Sequence, residues 1–402
     1  MKIGLPYLFP GKESGQGVFE ETFASGLKKR GAKVKVFYPT NKELRKIEKI
    51  GSVLTMASMR EHIDEANKCD LLYSTNGISL GLLDKEVKVP MISVFHSTTR
   101  TLFEQLTGDY HKMAEYSLYQ KYYKELERIS LVPDDIRRGS LETWALIEDF
   151  MIQKSHYLVA VSENVKREIE DFLSPKTKKV EVVSNGIEES WFTDEKYVSC
   201  RHCEKISKNW NKKPIVMWVG RMGREHNSFK TKGIDRVLEL FDRLDGKKVQ
   251  KVAIAIVPKE KAEYVELYSK IFTKRGIEFC PNWPYNHLPH LTSKGDIFIM
   301  TSRYEGFSLS LIEAMASKMA PVAYAVGVVP EAIKNGYNGY IVKNIDQMEE
   351  RVKWLLSHPA KREKMAQRAF ETAQAKYQIS TMLDNYFQLF RKIIRRRNKS
   401  IL

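Results

Sequence analysis

The 402-residue sequence predicts an α/β protein made of two tandem Rossmann-like, doubly wound domains. Three observations predict it. Short apolar runs alternate with amphipathic helical patterns through the first half. A polar, aperiodic stretch at 196–213 interrupts the alternation. A second alternating series then starts at 214 and continues to 342. At roughly 150 residues per domain, the length suits two domains.

The elements follow in order. Lys2-Ile3-Gly4-Leu5 is a short apolar strand. Val18 to Arg30 reads as a helix, because Phe19, Phe23 and Leu27 recur at i, i+4 and i+8 and Gly31 stands as its C-cap. Ala32 to Tyr38 alternates as Lys33/Val34/Lys35/Val36, the period of a half-buried strand. Further strands are expected at 69–74, 90–95, 156–161 and 180–184, with 100–150 mostly helical. In the second series the strands fall at 214–219, 251–257, 277–280, 296–301, 320–326 and 339–342, and helices run from about 346 to the end. The boundaries are therefore 1–195 for the first domain, 196–213 for the linker, 214–378 for the second domain and 379–402 for a terminal helix with a basic tail. Doubly wound sheets hold ligands at the carboxyl ends of their strands, so two of them predict a site in an interdomain cleft.

Hydrophobic residues make up 43% and charged residues 29%, which excludes a disordered tail, a collagen and a small disulfide scaffold. The longest clean apolar stretch, Pro214 to Val219, falls far short of the ~20 residues that span a bilayer. No basic segment followed by a long apolar run stands near Met1, so a cytoplasmic protein is expected, held at a membrane only by a partner or lipid. The net charge of +16 is one-sided: residues 1–200 carry 29 basic and 30 acidic side chains, and residues 201–402 carry 37 and 20. A uniformly basic surface would suit non-specific nucleic-acid binding; a one-sided excess suits a bound anion or a single anionic contact, and no nucleic-acid partner is expected. Cys200-Arg-His-Cys203 has ligand-like spacing but no second pair, and reads as reduced thiols in the linker.

The strongest constellation runs from Asp296 to Ala316. A strand ends near Thr301, a short loop carries Glu305 and Gly306, and Ser308 is placed to cap a helix containing Leu309, Leu311, Ile312 and Met315. The amides of Gly306, Phe307 and Ser308 suit a phosphate, and Glu305 and Glu313 suit sugar hydroxyls. Together they fit a sugar–diphosphate–ribose ligand. Gly15-Gln-Gly17 is not a dinucleotide fingerprint, since Glu20 takes the third glycine's place and no acid follows the second strand.

This segment, with Glu305 and Glu313 in an E-x7-E spacing, resembles the retaining glycosyltransferases of family 4, which have the two-domain GT-B fold. Val219-Gly-Arg221 and Lys232-Gly-Ile-Asp235 are similar to that family's diphosphate-binding Arg and Lys. Val183-Ser-Asn185-Gly-Ile187, Pro330-Glu331 and Asn335-Gly-Tyr-Asn-Gly339 match later segments, Gly11 to Gly17 matches its N-terminal glycine loop, and Phe95-His96-Ser97 its catalytic-cleft histidine. The likeness is sharp from about 214 to 342 and loose from 40 to 155. Three departures stand out. Arg221 and Lys232 are separated by a polar insert, so Lys230 competes for the role of Lys232. Lys318 replaces a common Gly after the helix, and Gly327-Val328 replaces a Gly-Gly pair.

The resemblance implies donor binding by Arg221, Lys232, Glu313, Gly306, Phe307, Ser308, Gly15 and Gly17, and catalytic contact by Glu305 and His96. It places Trp283 and Tyr285 beside the nucleotide base. Arg221 can fork two phosphate oxygens and Lys232 adds a point charge, so the pair can stand in for a divalent metal. No carboxylate cluster for Mg²⁺ stands out, and neither a metal nor another cofactor is expected. The activity implied is retaining transfer from a UDP- or GDP-linked sugar to a glycan or glycolipid hydroxyl, by same-face displacement. A catalytically weak nucleotide-sugar-binding partner subunit and a nucleotide-sugar epimerase are the alternatives. In this fold the last helix crosses back to the first domain, which accounts for the apolar face Ile379, Leu383, Tyr386, Phe390 and Ile393. The six cations between Arg391 and Lys399 fit either a solvated helix end or peripheral contact with an anionic membrane.

Overall fold

The computed structural model describes residues 1–7, 15–40, 51–75, 78–99, 101–102, 147–148, 150–172, 179–192, 204, 208, 210, 213–222, 230–257 and 262–401. Among these, the chain divides into two compact units. One holds the described residues up to 102, those from 147 to Asn185, and the stretch from Ile379 onward; the other holds those from Gly186 to Gln378.

The first unit is built on a six-stranded, all-parallel sheet of order β2-β1-β3-β4-β5-β6. Its strands are β1 (Lys2–Pro6), β2 (Lys33–Phe37), β3 (Leu71–Thr75), β4 (Met91–Phe95), β5 (Tyr157–Ala160) and β6 (Val180–Val182). β3 and β4 are buried at every position, as expected of a parallel sheet covered on both faces. Helix α1 (Gly15–Lys29) begins three residues before the helix predicted from Val18, so Gly15 and Gly17 lie in its first turn rather than in a loop. Apolar periodicity could not reveal that turn, because its residues are Gly15, Gln16 and Gly17. Gly31 ends the helix as expected, with φ +86° and its N–H bonded to Lys28 O. Helix α2 (Glu163–Phe172) joins β5 to β6.

The second unit carries the other six-stranded parallel sheet, of order β12-β11-β10-β7-β8-β9. Its strands are β7 (Ile215–Arg221), β8 (Gln250–Ile256), β9 (Ile277–Pro281), β10 (Ile297–Met300), β11 (Ala320–Tyr324) and β12 (Tyr340–Val342). Counted from β7, this is the doubly wound order 3-2-1-4-5-6, and the winding reverses between β7 and β10. Helices α3 (Ile234–Arg243), α4 (Ala262–Thr273), α5 (Leu309–Ala316), α6 (Ile345–Ser357) and α7 (Pro359–Lys376) accompany the sheet. Val237, Phe241, Phe272, Ile299, Val352 and Leu355 are among the buried side chains of its core.

Helix α8 (Ile379–Ile401) belongs to the first unit, as the crossing-back reading requires. Tyr386 meets Phe23 and Tyr73 edge-on at 5.2 and 5.3 Å, and Arg30 bonds Asp384 at 2.6 Å. A Cβ at Gly26 would lie 2.3 Å from Leu383 Cδ1, so glycine lets this leucine seat against α1 without shifting. The expected helices of 100–150 lie mostly outside the described residues, as do Cys200, Cys203 and most of the 196–213 linker. Trp210, inside that segment, is buried.

Candidate active site

In a doubly wound sheet the crevice opens where the winding reverses, beyond the carboxyl ends of the flanking strands. In the second unit those strands are β7, ending at Arg221, and β10, leading into Thr301–Glu305. Arg221 is exposed. Lys232 stands on the turn that enters α3 and is held there closely. Gly233 has φ +63°, and a Cβ on it would sit 2.1 Å from Thr301 O, so only glycine lets this turn press against the end of β10. Thr301 donates its hydroxyl to Lys232 O at 2.9 Å. Arg303 closes the same turn: it forks Asp235 at 2.8 and 2.6 Å and donates to Lys230 O at 3.0 Å.

This scaffold brings Lys232 to Glu305. The ammonium Nζ lies 2.6 Å from Glu305 Oε1, which also accepts the Ser302 hydroxyl at 2.7 Å. Lys230 is buried. Of the two competing lysines, Lys232 is seen to contact Glu305. Sequence reasoning missed the Arg303–Asp235 clamp. Its one signal was an acid immediately after the Lys-Gly-Ile turn.

Ser308 stands at the N-cap of α5 but does not cap it. Its φ is +87°, and its hydroxyl turns to Met300 Sδ at 3.1 Å with no bond to the helix amides. The predicted cap is therefore corrected: the left-handed backbone swings the side chain away, and the first-turn N–H groups carry no side-chain cap. Phe307 is buried against Tyr377, ring centroids 5.9 Å apart. Gly327, at φ +56°, crosses this loop so closely that a Cβ would meet Phe307 O at 2.6 Å. Val328 N–H bonds Phe307 O at 2.8 Å, so the residue that replaces a second glycine serves the loop through its backbone. Lys318 adopts φ +56°, the left-handed conformation that favours glycine, and lays its ammonium 4.7 Å over the Phe370 ring.

Glu313, on α5, is 7% exposed, and burial pushes its carboxyl up to about 7. Tyr285 opposes that shift by donating its hydroxyl to Glu313 Oε1 at 3.3 Å. Trp191 Nε1–H donates in turn to the Tyr285 hydroxyl at 3.4 Å. Tyr285 is 41% exposed although its hydroxyl is engaged, and Trp191 meets its ring edge-on at 6.0 Å. Trp191, far away in sequence, was not foreseen; nothing local distinguishes it from a core tryptophan.

In the first unit, His96 follows β4. Burial holds its imidazole down to about 4, so it is neutral at pH 7. Phe19 meets it edge-on at 5.4 Å, and Asn185 lies 3.4 Å from Nδ1. Gly15 and Gly17 open α1, and Gly11 lies outside the described residues. Among the described residues no three His, Cys, Asp or Glu side chains converge as a metal site would require.

Two protein-family models between them match most of the chain. Residues 14–191 match the model described as Glycosyltransferase Family 4, and residues 204–372 match Glycosyl transferases group 1. Alpha-D-kanosaminyltransferase of Streptomyces kanamyceticus is 27% identical over 185 residues, covering 45% of this chain and 46% of that protein. The chain spans about half the length of the curated relatives it matches. Among solved structures, sucrose-phosphate synthase from Thermosynechococcus elongatus superposes with a TM-score of 0.73 at 16% identity, covering 98% of each chain. Anabaena HepE in complex with UDP-glucose gives a TM-score of 0.67 at 14% identity, covering 98% of this chain and 100% of that one. At these identities the superpositions show a shared fold.

Proposed function

Since the chain belongs to the family 4 glycosyltransferases and has their GT-B architecture of two Rossmann-like domains, we propose that it transfers a sugar from a nucleotide diphosphate donor to a hydroxyl acceptor. The observation that carries this reading is the Lys232–Glu305 pair at the winding reversal of the second unit, beside a helix whose first-turn amides have no side-chain cap. The leaving diphosphate develops negative charge. Arg221 and Lys232 offset it with a guanidinium fork and an ammonium, and the N-terminus of α5 adds its dipole. This supply of positive charge supports a reaction that needs no divalent metal. Glu305 stabilises the positive charge growing on the donor sugar, Glu313 accepts from the ribose hydroxyls, and His96 donates to a sugar hydroxyl. Transfer proceeds on one face of the sugar with retention, the leaving phosphate helping to deprotonate the acceptor. A UDP-linked donor is supported by the UDP-glucose bound to the structural relative HepE. The acceptor is a glycan or a glycolipid.

The terminal helix supports peripheral contact with an anionic membrane. Tyr386, Phe390 and Ile393 are buried, so the apolar face of α8 is spent on packing. Arg391, Arg395 and Arg396 are exposed on the other side. Arg391 and Arg395 stand four apart, a spacing at which like charges destabilise a helix. The helix runs on to Ile401, so its dipole, felt only in the last turn, does not explain a cation at 391. A polyanion outside the helix would offset that repulsion. Among the described residues no helix is long and apolar enough to cross a membrane.

A thermal-shift panel of UDP- and GDP-sugars tests the donor reading. A ligand at 100 times its Kd adds about 2.7 kcal/mol of stability. Stabilisation by one nucleotide sugar, and its consumption once acceptor is added, is the expected result. Binding without consumption would point to a nucleotide-sugar-binding partner subunit, and conversion of the donor without acceptor to an epimerase.

A further inference from the structure

Asn185 follows β6 (Val180–Val182), and its carboxamide is 5% exposed. Its Nδ2 lies 3.4 Å from Nδ1 of His96, while its Oδ1 is buried with no hydrogen-bond partner. We infer that Asn185 is the positioning residue for His96: its amide N–H makes Nδ1 an acceptor and so puts the imidazole proton on Nε2.

The arrangement of the carboxamide that leaves fewer N–H groups unsatisfied fixes the tautomer. With Nδ2 donating one N–H to Nδ1, what is left over is the buried carbonyl oxygen and the other N–H. Turning the carboxamide over would let Nδ1–H donate to Oδ1, but it would bury both N–H groups of Nδ2 without that acceptor. Buried orphan N–H groups are rarer in proteins than under-satisfied carbonyl oxygens, so the first arrangement is favoured. The imidazole must be neutral for either nitrogen to accept, and burial holds it down to about 4, with no charged side chain among the described residues contributing. Phe19 packs the ring edge-on at 5.4 Å. An imidazole locked with its proton on Nε2 is a hydrogen-bond donor of fixed direction, which suits a sugar hydroxyl oxygen. The use of this donor in sugar transfer rests on the proposed function; the tautomer itself does not.

The experiment is long-range ¹H–¹⁵N correlation NMR on ¹⁵N-histidine-labelled protein, with His96 assigned by the signal lost in His96→Gln. The expected spectrum at pH 7 shows the Nε2–H tautomer, with no titration above about pH 5. Asn185→Leu should mix the two tautomers. Asn185→Asp, which sets a carboxylate beside Nδ1, should raise the titration by about one to three pH units. An Nδ1–H tautomer in the unaltered protein, or an unchanged pattern in a folded Asn185→Leu variant, overturns the inference. If neither variant folds, the tautomer of the unaltered protein decides alone. Because the spectrum needs no substrate, its outcome is separable from that of any transferase assay.

Discussion

Lys232 Nζ sits 2.6 Å from Glu305 Oε1, so without donor the cation and the carboxylate satisfy each other. The two side chains are 27% and 11% exposed, a setting in which the partner left by a deletion keeps an incompletely solvated charge. In the proposed reaction, donor binding draws the ammonium toward phosphate. Glu305→Gln removes the competing charge, so this variant should bind UDP as tightly as the unaltered protein or more tightly, while kcat and kcat/KM fall together. Lys232→Ala should instead weaken UDP binding about ten- to a hundredfold. Calorimetry with UDP and steady-state kinetics on both variants check this; weaker UDP binding by a folded Glu305→Gln variant would reverse the assignment.

Glu313 yields a pH dependence. Its carboxyl is raised from 4.5 to about 7 by burial, so the folded state holds a proton that the unfolded chain has released between those values. Its contribution to stability is complete below about pH 4.5 and is lost as pH rises through about 7, amounting to about 3 kcal/mol. Glu313→Gln should flatten that part of the stability profile in denaturant melts. Donor affinity should run the other way, rising with pH through about 7 as the carboxylate ionises and accepts from the ribose. Tyr285→Phe removes the bond that favours the ionised form, so its donor affinity should fall at pH 7 and recover at higher pH.

Arg221 bears on the metal question. With cationic side chains offsetting the diphosphate, turnover should survive EDTA, and Arg221→Ala should lose about 2–5 kcal/mol of transition-state stabilisation. Turnover abolished by EDTA and restored by Mg²⁺ or Mn²⁺ would refute this.

The basic end of α8 is tested by replacing Arg391, Arg395 and Arg396 with Gln, which leaves the buried Tyr386, Phe390 and Ile393 in place. Sedimentation with anionic vesicles should fall, and salt should lower binding of the unaltered protein in the same way. Equal vesicle binding by both proteins would remove the membrane contact.

Much of the fold was legible because parallel strands announce themselves. β10 is a continuous apolar run, β3 and β4 are buried at every position, and all twelve strands among the described residues lie within two residues of their expected positions. The start of α1 was not legible, since Gly15 and Gly17 carry no helical signal. In the site, residues bound to their neighbours by the chain could be read: Glu305, Glu313 and the Lys232-Gly233 turn. The positive φ of Ser308 could not, because it is imposed by the loop and not by the preference of serine. Nor could Trp191 and Arg303, whose roles come from contacts across 94 and 68 residues of sequence.

The central claim is that this chain moves a sugar from a nucleotide donor through the Glu305 site. Its most direct measurement is nucleoside diphosphate release in EDTA from UDP- and GDP-sugars, with glycan and glycolipid acceptors, comparing the unaltered protein with Glu305→Gln. The account predicts acceptor-dependent release from one donor, and a loss of about a hundredfold or more in a variant that still binds UDP. Equal release by the two proteins, or no release and no binding with any nucleotide sugar, would contradict it.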